Sequence, residues 1–234
     1  MRAGMKWIVG GVVALAVLVS AGTYVYVHYV EGPAPARLTL DSSTSSTMAG
    51  GATVASSADP SGVSGAWRPT SDSTVGYRVK EVLFGQDNTA VGRTNKVTGS
   101  MTIDGTTVKT VDLTVDMSSV ASDQARRDNQ FKGRIMDTST YPTSTFKLTQ
   151  PINLSNVADG STVSANAVGQ LTLRGTTETV TIPIKAKRNG SKIEVNGILP
   201  VTFADWKIPS PSFGPVTTED HGELELLVVF ERAG

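Results

Sequence analysis

The stretch VSANAVGQLTLRGTTETVTIPIKAK, residues 163–187, decides the fold. Val163, Ala165, Ala167, Gly169, Leu171 and Leu173 alternate with Ser164, Asn166, Gln170 and Thr172. After Arg174-Gly175 the alternation resumes, with Val180, Ile182, Ile184 and Ala186 against Thr179, Thr181, Lys185 and Lys187. A period of two sends successive side chains to opposite faces of a strand, so each run has one apolar and one wet face. Two such runs about a short Gly turn read as an antiparallel hairpin.

The same pattern extends in both directions. Upstream, Val111, Leu113 and Val115 alternate with Asp112, Thr114 and Asp116, and Phe146 and Leu148 with Thr145, Lys147 and Thr149. Downstream come Ile193, Val195, Leu199, Val201 and Phe203, then Leu224, Leu226, Val228 and Phe230. Weaker alternation marks strands from about Asp72 to Phe84 and from Thr94 to Asp104, and Asp104-Gly105, Asp159-Gly160 and Asn189-Gly190 mark turns. About eight one-sided strands joined by hairpins predict an all-β, antiparallel, eight-stranded barrel, because closure removes the edges an open sheet would expose. One short helix is expected from Asp123 to Lys132 (DQARRDNQFK), with Ser122 or Asp123 as its N-cap and Gly133 in the C-cap position. A barrel of this size is either filled by side chains or holds one small ligand. Ala165, Ala167, Gly169 and Gly197 are small enough to leave room, or to face large partners across a tapered core, and patterning leaves both readings open.

The N-terminal part is of another kind. Trp7 to Val30 (WIVGGVVALAVLVSAGTYVYVHYV) carries no formal charge, and as a helix would be about 36 Å long, enough to span a bilayer. Arg2 and Lys6 precede it, so residues 1–6 are expected in the cytoplasm and the barrel outside. Trp7, Tyr24, Tyr26 and Tyr29 fit the two interfaces, and His28 lies at the outer one. The alternative is a signal peptide cleaved after Val19-Ser20-Ala21, which would secrete the domain. Residues 31–65 are rich in Ser, Thr, Ala, Gly and Pro without hydrophobic period. They read as a disordered linker with a reach of about 30 Å, leaving residues 66–234 for the barrel.

Composition removes whole classes of chemistry. The 234 residues include no Cys and two His, His28 and His221, so thiolate nucleophiles, disulfides and multi-His metal sites are excluded. Basic and acidic residues balance at 21 each, which gives no footprint for nucleic acid. His221, with Glu219, Asp220 and the Thr218 hydroxyl beside it, is the sole candidate for a catalytic base. No nucleophile elbow, phosphate-binding Gly loop or metal motif accompanies it, so a non-enzyme with no metal and no catalytic cofactor is expected.

The ordered motifs of residues 66–231 resemble the YceI family of lipocalin-like proteins. Its carriers here are Trp67 with Asp72-Ser73-Thr74-Val75, Val97-Thr98-Gly99-Ser100-Met101, and the stretch from Val111 to Val120. Further on come Arg127-Asp128, Asp137, Tyr141-Pro142 and Phe146, then Gly169 through Arg174-Gly175-Thr176-Thr177 to Val180. Phe203 to Pro209 and Gly222 to Leu226 are similar to a membrane-anchored, actinobacterial-type branch. Asn129-Gln130-Phe131 stands where the family commonly has His after the Arg-Asp pair.

The resemblance implies binding of a polyisoprenoid or other quinone-like lipid, its chain threaded into the barrel and its head group near the mouth. Apolar candidates for the lining are Val111, Leu113, Phe146, Leu148, Val163, Ala165, Ala167, Leu171, Ile182, Ile184, Val195, Leu199, Val201, Phe203, Leu226 and Val228, all on the apolar faces read above. Arg126, Arg127, Asp128 and Gln130 are the polar candidates for a quinone carbonyl or phosphate, or else form a solvated helix face fastened by an Arg–Asp pair. Trp67 and Trp206 are expected to plug or rim the barrel. A filled barrel that binds a protein or cell-wall partner on its outer surface is the rival reading, and the oligomeric state, a dimer included, stays open.

Overall fold

Runs of half-buried alternation joined by tight turns satisfy their backbone groups in antiparallel ladders, and every ladder among the described residues is antiparallel. The computed structural model describes residues 33–40, 62–83, 85–154, 160–214 and 216–233. Among these, twelve strands form one sheet: β1 (Gly65–Pro69), β2 (Thr74–Leu83), β3 (Gln86–Thr94), β4 (Val97–Asp104), β5 (Thr107–Asp116), β6 (Thr143–Leu148), β7 (Ile152–Asn153), β8 (Thr162–Leu173), β9 (Thr176–Asn189), β10 (Lys192–Thr202), β11 (Val216–Thr218) and β12 (His221–Arg232).

Eight of them close a ring in the order β1, β4, β5, β6, β8, β9, β10, β12, with β12 pairing back onto β1. This is the eight-stranded antiparallel barrel that the alternation predicts. The hairpin of residues 163–187 turns at Arg174 and Gly175, whose φ values of 47° and 72° are those of a type I′ turn. On the edge away from β10, strand β12 serves two partners in turn: Phe230 to Arg232 face β1, whereas Glu223 to Leu227 face β2. The corner between β1 and β2 is pinned by Ser73, which is fully buried and whose Oγ accepts from Val229 N at 3.1 Å. Strand β3 pairs with β2 along its whole length, β11 extends the end of β2, and β7 lies across the end of β5. These extra strands escape the alternation rule because they are short or, as in the QDNTAVGRT of β3, almost wholly polar.

The helix is shorter than the sequence suggests. It spans Ala125–Gln130 (α1) and passes into a wide turn over Phe131–Ile135. Neither expected cap forms. Gln124 is the N-cap and makes no side-chain cap bond, while Ser122 is bound from the other side: its N and Oγ donate to Asp128 Oδ1 at 2.8 and 2.7 Å. Gly133 lies inside the wide turn, and the left-handed residue that ends the segment is Asp137, at φ 47°.

One end of the barrel is shut. Trp67 is 2% exposed, with its indole N–H donating to Val63 O at 2.9 Å and Arg232 stacked on its ring, and above it lie Ile103, Val108, Ile152, Leu154, Ile193 and Phe230, all buried. At the other end α1 leans over the ring, and Phe131 stacks on Tyr77 with centroids 5.0 Å apart.

Residues 33–40, which the sequence reads as part of the linker, lie against the outer wall as a strap. Leu38 is buried and its carbonyl accepts from Asn196 Nδ2 at 2.9 Å. Arg78 Nη2 donates to Pro35 O at 2.6 Å, Arg93 Nη2 donates to Ala36 O, and Arg37 pairs with Glu223. Beneath the strap Glu225 is fully buried: Oε1 accepts from Arg93 Nε at 2.8 Å, and Oε2 faces Arg78 Nε at 3.7 Å. The composition of the segment hides this docking, since one Leu and one Arg do the anchoring. The remaining described linker residues, 62–65, run into β1, and residues 1–32 and 41–61 lie outside the described residues. No helix among the described residues is long and apolar enough to cross a membrane, and the apolar run of residues 7–30 is not among them.

Candidate functional site

The inward faces of the ring enclose a cavity of about 760 Å³, inside the range of roughly 300–1,000 Å³ typical of small-molecule sites. Its wall is nearly all apolar because each strand turns every second side chain inward. Thirteen of the sixteen apolar candidates lie on it: Val111, Leu113, Phe146, Leu148, Ala167, Leu171, Ile182, Ile184, Val195, Val201, Phe203, Leu226 and Val228. Val163, Ala165 and Leu199 do not. Val163 and Ala165 belong to the part of β8 that pairs with β9 beyond the end of the β6 ladder, which starts only at Gly169. Leu199 is buried in the hydrophobic cluster that surrounds the cavity without bordering it.

The two glycines do not make the space. A Cβ on Gly169 would meet the Phe146 ring at 2.5 Å, and one on Gly197 would meet Ile182 and Ile184 at 3.2 Å, so both glycines receive large neighbours. What remains open is set by the circumference of the ring. Trp67 closes the floor, and Trp206, 4% exposed, donates to Leu171 O at 3.4 Å from outside the cavity wall.

The cavity reaches the surface at the α1 end, where its wall includes Glu81, Arg126, Arg127, Gln130, Pro211, Phe213 and Thr218. Three of the four polar candidates stand here. Arg127 is committed to structure, donating to Glu81 Oε1 at 3.1 Å and pairing with Asp123, and Asn88 holds the same Glu81 oxygen at 2.8 Å. Gln130 Oε1 accepts from Arg134 Nε at 3.2 Å, and Arg134 also donates to Ser210 O and Pro211 O, so that the 208–213 loop is stitched to the end of the helix. Asp128 turns away to Ser122 and is off the wall, so the expected Arg–Asp fastening is replaced by Arg127 to Glu81 and Asp123. Arg126 is exposed and makes no ion pair among the described residues, which leaves one uncommitted guanidinium at the mouth.

Tyr77, Phe131, Met101, Met117 and Met136 also line the cavity and were not singled out by alternation. Tyr77 and Met101 lie on strands with weak alternation, and Phe131, Met117 and Met136 lie on helical or flanking segments where a period of two carries no signal. Burial is the main cause that raises the Tyr77 hydroxyl above its usual pKa, keeping it a neutral hydrogen-bond donor.

His221 stands apart from the cavity. Its Nδ1 contacts Asp220 Oδ1 at 2.9 Å and its Nε2 contacts Glu219 Oε2 at 3.2 Å, while Thr218 is bonded to Ser212. The Asp220 contact raises the imidazole above 6.5. Both ring nitrogens are thus occupied by neighbouring carboxylates, and no group of three or more potential metal ligands occurs among the described residues.

The eight-stranded ring is thus a closed antiparallel barrel around an apolar cavity that opens beside a few polar groups. The chain belongs to the YceI-like family, whose model matches residues 68–230. A polyisoprenoid-binding domain from Saccharophagus degradans, implicated in plant cell wall breakdown, has a similar fold, with 15% identity and a TM-score of 0.59 over 72% of this chain and 98% of that one. Burkholderia cenocepacia BcnA shares 22% identity and a TM-score of 0.51 over 65% and 95%. The Campylobacter jejuni YceI protein shares 18% and 0.51 over 61% and 85%. No curated protein matches the chain significantly in sequence.

Proposed function

We propose that this protein holds a long-chain isoprenoid, of the polyprenyl or quinone type, with its tail in the barrel and its head group beside Arg126, Gln130 and Tyr77. The observation that carries this reading is the apolar cavity of about 760 Å³ whose wall at the α1 end includes those groups. At about 30 Å³ for each water-sized group, the space takes roughly 25 heavy atoms, or about five isoprene units. Each buried methylene contributes about 0.8 kcal/mol before ordering costs, so the tail supplies the affinity and the mouth supplies selectivity. Membership of the YceI-like family, and the similar fold of the polyisoprenoid-binding domain from Saccharophagus degradans, support the ligand class.

The apolar run of residues 7–30 supports a single-pass anchor with the barrel on the outer side, as in a membrane-anchored, actinobacterial-type member. Solvent extraction of the purified full chain, followed by mass spectrometry, tests the proposal. A bound polyprenyl or quinone species is expected. Protein from an isoprenoid-rich host that carries none, and that takes up no long-chain quinone, would reduce the barrel to a scaffold with its partner surface outside.

A further inference from the structure

The strap crosses the outer wall with a direction. Strand β12 sets out rows on that wall: Leu227 lies opposite both Thr74 and Asn196, Glu225 opposite Gly76, and Glu223 opposite Arg78. The row of Glu223 and Arg78 is nearest the mouth, because His221 and Gly222 begin β12 there and Leu83 ends β2 there. Leu38 is bonded to Asn196 in the lowest of these rows, the carbonyls of Ala36 and Pro35 sit on the two guanidinium groups gathered at Glu225 in the middle one, and Arg37 reaches Glu223 in the highest. Followed toward its N-terminus, the strap therefore climbs toward the mouth.

Magnitudes settle what this means for the apolar run of residues 7–30. From Arg78 to the rim at Leu83 is five strand residues, about 16 Å. Residues 31–34 can span at most about 14 Å, most of that rise. The shut end lies nine strand residues the other way, from Glu223 to Arg232, or about 30 Å, beyond that reach. The rim also carries Phe213, 51% exposed, and Val82, 38% exposed, the two exposed large apolar side chains among the described residues. Phe213 lies under the Arg134 guanidinium at 5.8 Å, and Val82 is paired with Thr217 in the adjoining strand. An aromatic beside a cation at the edge of an apolar opening suits the head-group layer of a bilayer.

We infer that the strap holds the barrel mouth-down on the membrane, with Phe213 and Val82 seated among lipid head groups, so that a lipid passes from bilayer to cavity without crossing water. The inference rests on the anchor reading of residues 7–30. The buried Glu225 is its latch, since the two arginines that neutralise it also hold the carbonyls of Pro35 and Ala36.

The absence of Cys makes the test direct. Single-Cys variants Val82→Cys and Phe213→Cys at the rim, and Thr106→Cys in the turn at the shut end, are labelled with an environment-sensitive fluorophore. The full chain is then reconstituted into phosphatidylcholine vesicles containing head-group spin-labelled lipid. Quenching is expected at the rim labels and not at Thr106. An Arg37→Ala, Leu38→Ser double variant, which leaves the ring untouched, should still sediment with vesicles and lose the difference between the two ends. Equal quenching at both ends in protein that sediments with the vesicles overturns the orientation alone, as does a difference that survives release of the strap. A full chain that fails to sediment with vesicles removes the anchor, and the orientation with it, while leaving lipid extraction as an independent measure of the ligand reading.

Discussion

Ala167 projects into the cavity from β8, opposite Ile182, and replacing it with Trp asks whether the cavity is the binding site. The exchange adds nine heavy atoms, about a third of the roughly 25 that the space accepts at about 30 Å³ each. A ligand that filled the cavity must give up a comparable number of buried atoms. At about 0.3 kcal/mol per non-hydrogen atom the loss is about 2.7 kcal/mol, close to 100-fold in Kd. Folding responds differently. A side chain forced into a filled core costs about 1–3 kcal/mol, whereas one entering free apolar space adds buried area and leaves the fold as stable or more so. The assay pairs displacement of a fluorescent apolar probe by a long-chain quinone with thermal unfolding of the same sample. Weak binding with an unchanged or higher Tm is expected from Ala167→Trp. A Tm lowered by several degrees with unchanged affinity would show that the space is not available and that the ligand binds elsewhere.

Other expectations follow from individual residues. Glu225→Gln leaves Arg78 and Arg93 without their buried counter-charge, and should cost about 3 kcal/mol in urea unfolding, as expected when one partner of a buried pair is removed. Arg126→Ala should weaken binding of a polyprenyl phosphate about tenfold, the size of a lost hydrogen bond to a charged group, and leave a polyprenyl hydrocarbon unaffected in parallel titrations. Gly169→Ala should destabilise the fold, because the new methyl meets both the Lys147 carbonyl and the Phe146 ring at 2.5 Å, and calorimetry would register it. The raised pKa of His221 means that its contacts with Asp220 and Glu219 favour the folded state fully below pH 6.5 and lose that effect as pH rises through the folded-state value; NMR titration should place its midpoint above 6.5.

The ring was legible because six of its strands repeat a period of two over long runs, and because Gly turns separate them. What alternation could not show is the shape of the space inside. Ala165, Ala167 and Gly169 sit on one face, yet only Ala167 reaches the cavity: Ala165 stands one inward position farther past the end of the β6 ladder than Ala167, and Gly169 is covered by Phe146. Register between strands decides this, and register is a property of pairs that a single strand does not carry. Arg127 and Asp128 stand side by side in sequence and suggest a pair, but α1 sends Arg127 to Glu81 and Asp123, and Asp128 to Ser122, because neighbours on a helix do not face each other. Strand β3 and the strap were missed for the same reason. Their order comes from partners far along the chain, Arg93 on Glu225 and Asn196 on Leu38, and polar segments of this kind look like linker until those partners are known.

The shut floor under Trp67 has a consequence for traffic. The barrel is a thimble and not a pipe, so any chain inside must leave by the way it came, last carbon out. Exchange of one occupant for another is then obligatorily sequential: the incoming molecule waits until the outgoing tail has cleared the brim. A lipid held as proposed would therefore be released one molecule at a time, head group foremost.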